Sequence, residues 1–159
     1  MNEQEQIFFV KGMLPHANSA ETVFHLNPIV TLAQAALESG WGKSNLALKG
    51  NNFFGLTAYG KSNDYWHGGV ITLANGADAL PFRRYDTVKN SFLDFARLIK
   101  EGYRMAWSFS RNIEAYAKEI AYSRYISEQN GDNRELYRRS LVSLAKRIQT
   151  IVSLINHNR

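Results

Sequence analysis

The chain has 159 residues, 45% of them hydrophobic and 21% charged, with no cysteine and a formal net charge of +5. That length suits a single domain, residues 1–159, with one sizeable core, and the composition excludes wholesale disorder, disulfides and thiolate chemistry. The positive charge favours polyanionic surfaces without choosing among them, and no apolar run approaches the ~20 residues of a membrane span.

In chain order, the first segment runs from about Asn2 to Val10 and carries Ile7, Phe8, Phe9 and Val10, with turns expected at Gly12 and Pro15. Asn18 and Glu21 have capping-box spacing and predict a short helix after the turn. The next helix is better defined. Asn27 suits an N-cap and Pro28 the first helical position, while Ile29, Leu32, Ala33, Ala36 and Leu37 recur at helical intervals, so the spacing predicts a helix from Pro28 to about Ser39.

A stretch rich in Gly, Asn and aromatic residues follows, up to about Gly69. Val70-Ile71-Thr72-Leu73 and Leu80-Pro81-Phe82-Arg83-Arg84-Tyr85 then read as two short strands around an Asn75-Gly76 turn, with Pro81 placing the second at an edge. Asp86 or Thr87 can cap a further helix whose buried stripe is Val88, Phe92, Phe95, Ala96 and Ile99. A short helix is expected within Ser110–Tyr122, and a long last one from near Asp132, with Tyr137, Leu141, Leu144, Ile148, Ile151 and Ile155 facing inward. Arg134, Arg138, Arg139, Lys146 and Arg147 form the solvated face of that last helix, without the interleaved aromatics of a nucleic-acid groove. The fold class is mainly α with a small β-hairpin lobe, and the joint between body and lobe is a natural cleft.

Glu38 is the residue that needs explaining. Along Pro28–Ser39, at about 100° per residue, it falls opposite the apolar stripe, in line with Thr31 and Gln34, on a face that should meet solvent or a cleft. A carboxylate in the last turn of a helix is disfavoured by the helix dipole, and an adjacent Trp41 can help exclude water; both effects raise its pKa. A carboxyl that stays protonated near neutral pH is what general-acid cleavage of a glycosidic bond requires.

The run Leu32-Ala33-Gln34-Ala35-Ala36-Leu37-Glu38-Ser39-Gly40-Trp41-Gly42-Lys43-Ser44, followed by Asn51-Asn52-Phe53-Phe54-Gly55, resembles the signature of the bacterial glucosaminidase family, glycoside hydrolase family 73. Phe82-Arg83-Arg84-Tyr85, Ser91-Phe92-Leu93-Asp94-Phe95, and Ile120 to Tyr125 with Leu136-Tyr137 extend the resemblance over roughly residues 20 to 150. The resemblance implies a lysozyme-like α+β fold and an endo-β-N-acetylglucosaminidase that cleaves the β-1,4 bond after N-acetylglucosamine in peptidoglycan, as autolysins and bacteriolytic enzymes do. Muramidase or lytic transglycosylase action on the same polymer, and a non-catalytic wall-binding or assembly module, are the alternatives.

Under this reading Glu38 is the general acid, and Tyr125 matches the family tyrosine that steadies sugar or water. The second carboxylate is open. Members of the family often carry a glutamate in the first hairpin strand, where this chain reads Val70-Ile71-Thr72-Leu73-Ala74, which leaves Asp64, Asp78 or the substrate's own acetamido group to activate water. Trp41, Asn52, Phe54, Tyr59 and Trp66 are candidate glycan contacts, Asn51 and Asn52 also being suited to tying the loop through Asx-type bonds. His16, His25, His67 and His157 are scattered without metal-ligand spacing, and neither a nucleophile elbow nor a phosphate loop is present, so a cofactor-free, metal-free hydrolase is expected. Its partners would be peptidoglycan glycan strands rather than nucleic acid or a membrane span, and its place of action the periplasm or cell wall. Met1-Asn2-Glu3-Gln4-Glu5-Gln6 lacks the cationic start of a secretory signal, so either a signal is missing from this sequence or export would rest on lysis, a secretion machine or a cell-wall assembly pathway.

Overall fold

The computed structural model describes residues 1–73, 79–127 and 132–158. The first element, α1 (Glu3–Phe24), is one uninterrupted helix where the sequence predicts two pieces. Its cap is Asn2, whose side chain accepts the Glu5 N–H at 2.8 Å while Glu5 returns a bond to the Asn2 N–H at 3.1 Å; Asn18 and Glu21 lie inside the helix and cap nothing. Pro15 removes one backbone donor, a loss of ~3 kcal/mol in a bare helix. The helix persists because Phe9, Val10, Leu14, Ala17 and Ala20, on both sides of the proline, are buried along one continuous face.

The second helix, α2 (Pro28–Ser39), has the predicted bounds, with the Asn27 side chain accepting the Ile29 N–H and Gly40 closing the end in the left-handed region. A short α3 (Asn45–Gly50), capped by Ser44, was not evident in the sequence, being too brief to show periodicity. The strands β1 (Val70–Ile71) and β2 (Phe82–Arg83) pair antiparallel, Val70 opposite Arg83 and Ile71 opposite Phe82. Their connecting turn, with Asn75 and Gly76, lies outside the described residues. β2 is not the edge that Pro81 implied: Thr57 bridges to Phe82 on its other side, and the Pro81 carbonyl accepts the Ala58 N–H at 2.8 Å. Proline is tolerated because it precedes the paired residues and needs only to accept.

The chain then forms α4 (Val88–Gly102), capped by Thr87, a short α5 (Arg104–Ser108), α6 (Ile113–Ala121), capped by Asn112, and α7 (Asp132–His157). α1 packs on α2 and α4, and α7 covers α2 and α6, enclosing one core that includes Leu32, Phe92, Phe95, Ile120, Leu141, Ile148 and Ile151. The cations of α7 are largely engaged within the chain: Arg138 with Glu135, Lys146 with Glu114, Arg147 with Glu3 and Gln6, and Arg134 with the carbonyls of Ala121 and Ser123. Among the described residues no helix is long and apolar enough to cross a membrane.

The lobe is fastened to the body through Asp94 of α4, a fully buried carboxylate. It accepts from Arg83 Nη1 at 2.7 Å, Tyr85 Oη at 2.5 Å, Asn63 Nδ2 at 2.9 Å and Arg97 Nε at 2.9 Å. Burial pushes the Asp94 pKa up, but the Tyr85 hydroxyl and the Arg83 and Arg97 guanidiniums outweigh it, and the net shift is downward.

Candidate active site

Glu38 ends α2 with its residue surface open to solvent. The turn after it is tight: Gly40, Trp41 and Gly42 all have positive φ, and Ser39 Oγ both donates to the Ala35 carbonyl and accepts the Gly42 N–H at 2.7 Å. Gly42 is required there, since a Cβ would lie 3.3 Å from the Phe53 ring and 3.4 Å from Phe9 on top of the strained φ. The loop folds back so that a Cβ on Gly55 would stand 4.0 Å from Glu38 Oε2. Asn52 holds that loop, accepting the N–H groups of Phe54, Gly55 and Leu56 and donating to the carbonyls of Leu56 and Arg83.

The face of α2 opposite the apolar stripe does not meet solvent as its polarity suggested. Thr31 and Gln34 are fully buried, Gln34 between tyrosines of α6 and α7, and only Glu38, one turn further, emerges. Their polarity is absorbed internally. Thr31 Oγ1 donates to the Asn27 carbonyl, and Gln34 sits between two tyrosines: Tyr116 Oη donates to Gln34 Oε1, and Gln34 Nε2 donates to Tyr137 Oη at 3.2 Å. Tyr137 Oη in turn donates to Glu38 Oε1 at 2.9 Å.

The Glu38 pKa is raised, as expected, and the larger cause is exclusion of water by the protein packed around the carboxyl, which the Tyr137 hydrogen bond opposes. Trp41 turns instead toward α1, edge-on to Phe9 with ring centroids 5.5 Å apart, and lines an apolar groove with Phe8, Met13, Leu48 and Phe53. Tyr125 lies near Tyr137 and Glu38, its ring meeting Phe95 and Tyr103 edge-on. Burial raises its pKa well above the usual phenol value, and the nearby Tyr137 and Glu38 add to the shift.

Three of the candidate glycan contacts, Phe54, Trp66 and Asn52, are buried. Phe54 is stacked on Phe95, centroids 3.9 Å apart, with its other flank on Phe92. Trp66 is 4% exposed, with the Arg83 guanidinium 4.1 Å above its ring and its indole N–H donated to the Gly69 carbonyl at 2.8 Å. Asn52 is fully committed to the loop backbone. Tyr59, by contrast, is 59% exposed while its carbonyl is fixed by Arg83 Nη2 at 2.7 Å.

Asp64 is exposed beside His67, whose Nδ1 lies 2.6 Å from Asp86 Oδ2 and whose Nε2 lies 3.1 Å from the Asp64 carbonyl. Asp78 lies outside the described residues. Sequence reasoning missed Gln34, Tyr116 and Tyr137 as members of the site; only the coincidence of Gln34 four residues before Glu38, and a hydroxyl within the inward stripe of α7, pointed to them.

A helical body with a small hairpin lobe defines a lysozyme-like class of domain, and Glu38, with its raised pKa, is its candidate acid. Residues 14–150 match the glucosaminidase family, described as mannosyl-glycoprotein endo-beta-N-acetylglucosaminidase, and the chain belongs to that family of glycoside hydrolases. It is 35% identical over 106 residues to the exo-glucosaminidase LytG of Bacillus subtilis, covering 62% of this chain and 36% of LytG. It is 28% identical over 156 residues to the peptidoglycan hydrolase FlgJ of Pseudomonas aeruginosa, covering 89% of this chain and 36% of FlgJ. The chain therefore spans about a third of these curated relatives. The glycoside hydrolase domain of Salmonella typhimurium FlgJ superposes with a TM-score of 0.73 at 22% identity, covering 99% of this chain and 95% of that one, which shows the lysozyme-like fold.

Proposed function

We propose that this domain is a peptidoglycan hydrolase, an endo-β-N-acetylglucosaminidase acting on glycan strands in the periplasm or cell wall, with Glu38 as its general acid. The observation that carries the reading is Glu38 itself: an exposed residue whose carboxyl is held by Tyr137 and desolvated enough by its surroundings that its pKa is raised. Relatives named for glucosaminidase and peptidoglycan hydrolase activity support the substrate class.

In the reaction, Glu38 protonates the leaving glycosidic oxygen while the adjacent sugar takes on oxocarbenium character and water completes the cleavage. Tyr125 steadies the reacting sugar or water beside it. Tyr59 and Trp41 are the aromatic faces proposed for glycan contact. Water activation falls to Asp64, to Asp78, or to the substrate's acetamido group, since no acid occupies Val70–Leu73.

Digestion of purified peptidoglycan followed by mass spectrometry tests the proposal. New reducing N-acetylglucosamine ends support it, reducing N-acetylmuramic ends indicate a muramidase, and anhydro-muramic ends a lytic transglycosylase. Binding without fragment release would mark a wall-binding module instead.

A further inference from the structure

Tyr116, Gln34 and Tyr137 form a hydrogen-bond chain that runs from the interior to Glu38, and its direction is dictated by what each group can donate. An ionised carboxylate only accepts, so Tyr137 must donate to Glu38 Oε1; its oxygen is then free to accept from Gln34 Nε2. That fixes the amide with Oε1 toward Tyr116, which donates to it. Tyr116 and Gln34 are both 0% exposed, and Gln34 is the hydrogen-bond partner that the described residues provide for the Tyr116 hydroxyl.

The opposite direction is chemically available once Glu38 is protonated. Glu38 would donate to Tyr137, Tyr137 to a flipped Gln34 carbonyl, and the Gln34 amide to Tyr116. The Tyr116 proton would then be a buried donor with no acceptor, which is costly. We propose that Tyr116 and Gln34 are positioning residues that lock this chain in one direction, so that Tyr137 always donates to Glu38 Oε1 and the transferable proton is held on Oε2, beside the Gly55 loop. The assignment rests on Glu38 being the general acid. Tyr137 from α7 contacts Glu38 on α2, Tyr125 from the segment after α6 lies near enough to feel both, and Tyr116 of α6 and Tyr103 at the end of α4 border Tyr125 in turn. Desolvation and the Tyr137 bond are the causes of its own shift.

Tyr116→Phe removes the one proton that forbids reversal. Protonated Glu38 can then direct its proton into the chain, so kcat should fall about fivefold at unchanged KM, the size of one net hydrogen bond, and the Glu38 titration should move up by about half a unit or more. The titration is read by carbon-13 NMR of the labelled Glu38 carboxyl, with Glu38→Gln identifying the signal, and kcat from peptidoglycan digestion. The deciding comparison repeats Tyr116→Phe in a Tyr137→Phe background, where the route to Glu38 is cut and no further shift should appear. Gln34→Met, a second way to break the chain, should move the titration in the same direction, because Tyr137 donates more weakly once nothing donates to it.

An unmoved titration in both Tyr116→Phe and Gln34→Met, or an undiminished Tyr116→Phe shift without the Tyr137 hydroxyl, overturns the proposal. Normal turnover in Glu38→Gln would sink the general-acid reading instead, and the NMR titration would still report on the chain.

Discussion

Tyr137 Oη and Glu38 Oε1 lie 2.9 Å apart across 99 residues of sequence, joining the longest helix to the end of the helix that carries the acid. The contact holds the carboxyl against the body of the protein and partly offsets the desolvation that raises its pKa. The same hydroxyl thus both holds the carboxyl and moderates its acidity.

Glu38→Gln keeps shape and can still accept from Tyr137, so the fold should survive. Turnover on peptidoglycan should fall at least about a hundredfold, the low end of a general acid's contribution. Equal rates for variant and parent would remove Glu38 from the chemistry.

The raised Glu38 pKa also has a stability consequence. A carboxyl that binds its proton more tightly when folded adds stability below its unfolded value near 4.5, and that contribution is lost as pH rises through the folded pKa. Melting temperatures measured from pH 4 to pH 7 should therefore shift in favour of Glu38→Gln as pH increases. In the parent enzyme the basic limb of the pH–rate profile should follow the same ionisation, because the acid must be protonated to act.

Tyr125→Phe retains the ring contacts with Phe95 and Tyr103 and deletes one oxygen. A hydroxyl that acts in the transition state should leave the melting temperature and glycan affinity nearly unchanged while kcat falls about tenfold, equivalent to roughly 1 to 2 kcal/mol. A lower melting temperature with normal kcat would show a structural tyrosine.

Asp94→Asn should destabilise the domain by about 3 kcal/mol or more in a denaturant titration, because it leaves the buried Arg83 without its charge partner. Because the Asp94 pKa is depressed in the folded state, its contribution is present above the unfolded value of 3.8 and disappears as pH falls. The variant should accordingly lose most against the parent at neutral pH and least in acid.

Asp64 distinguishes the routes for water. If its carboxylate activates the attacking water, Asp64→Asn should bind glycan normally and lose turnover. Near-normal rates in both Asp64→Asn and Asp78→Asn would assign that step to the substrate's acetamido group or to unassisted water.

Local pattern alone determined several elements. Asn27, Pro28 and the apolar spacing that follows specify α2 to the residue, and Thr87 with the Val88–Ile99 stripe specifies α4, because caps and helical period act within a few residues of one another. The unusual position of Glu38 was equally legible, since it depends only on its place along one helix. Gly12 and Pro15 misled because their cost is local, whereas the burial of Phe9 to Ala20 that outweighs it comes from packing on α2 and α4. Tertiary structure alone decided which aromatic rings are covered. Trp66 and Tyr59 sit in the same glycine-rich stretch, yet Arg83 closes over one and leaves the other exposed. It also decided that Thr31 and Gln34 are buried while Glu38 is not, and that Tyr116 and Tyr137, from two later helices, complete the acid's surroundings. Hydrogen bonds between residues some 80 to 100 positions apart leave no periodic trace in a single sequence, because the helices that bring them together are positioned by non-directional core packing.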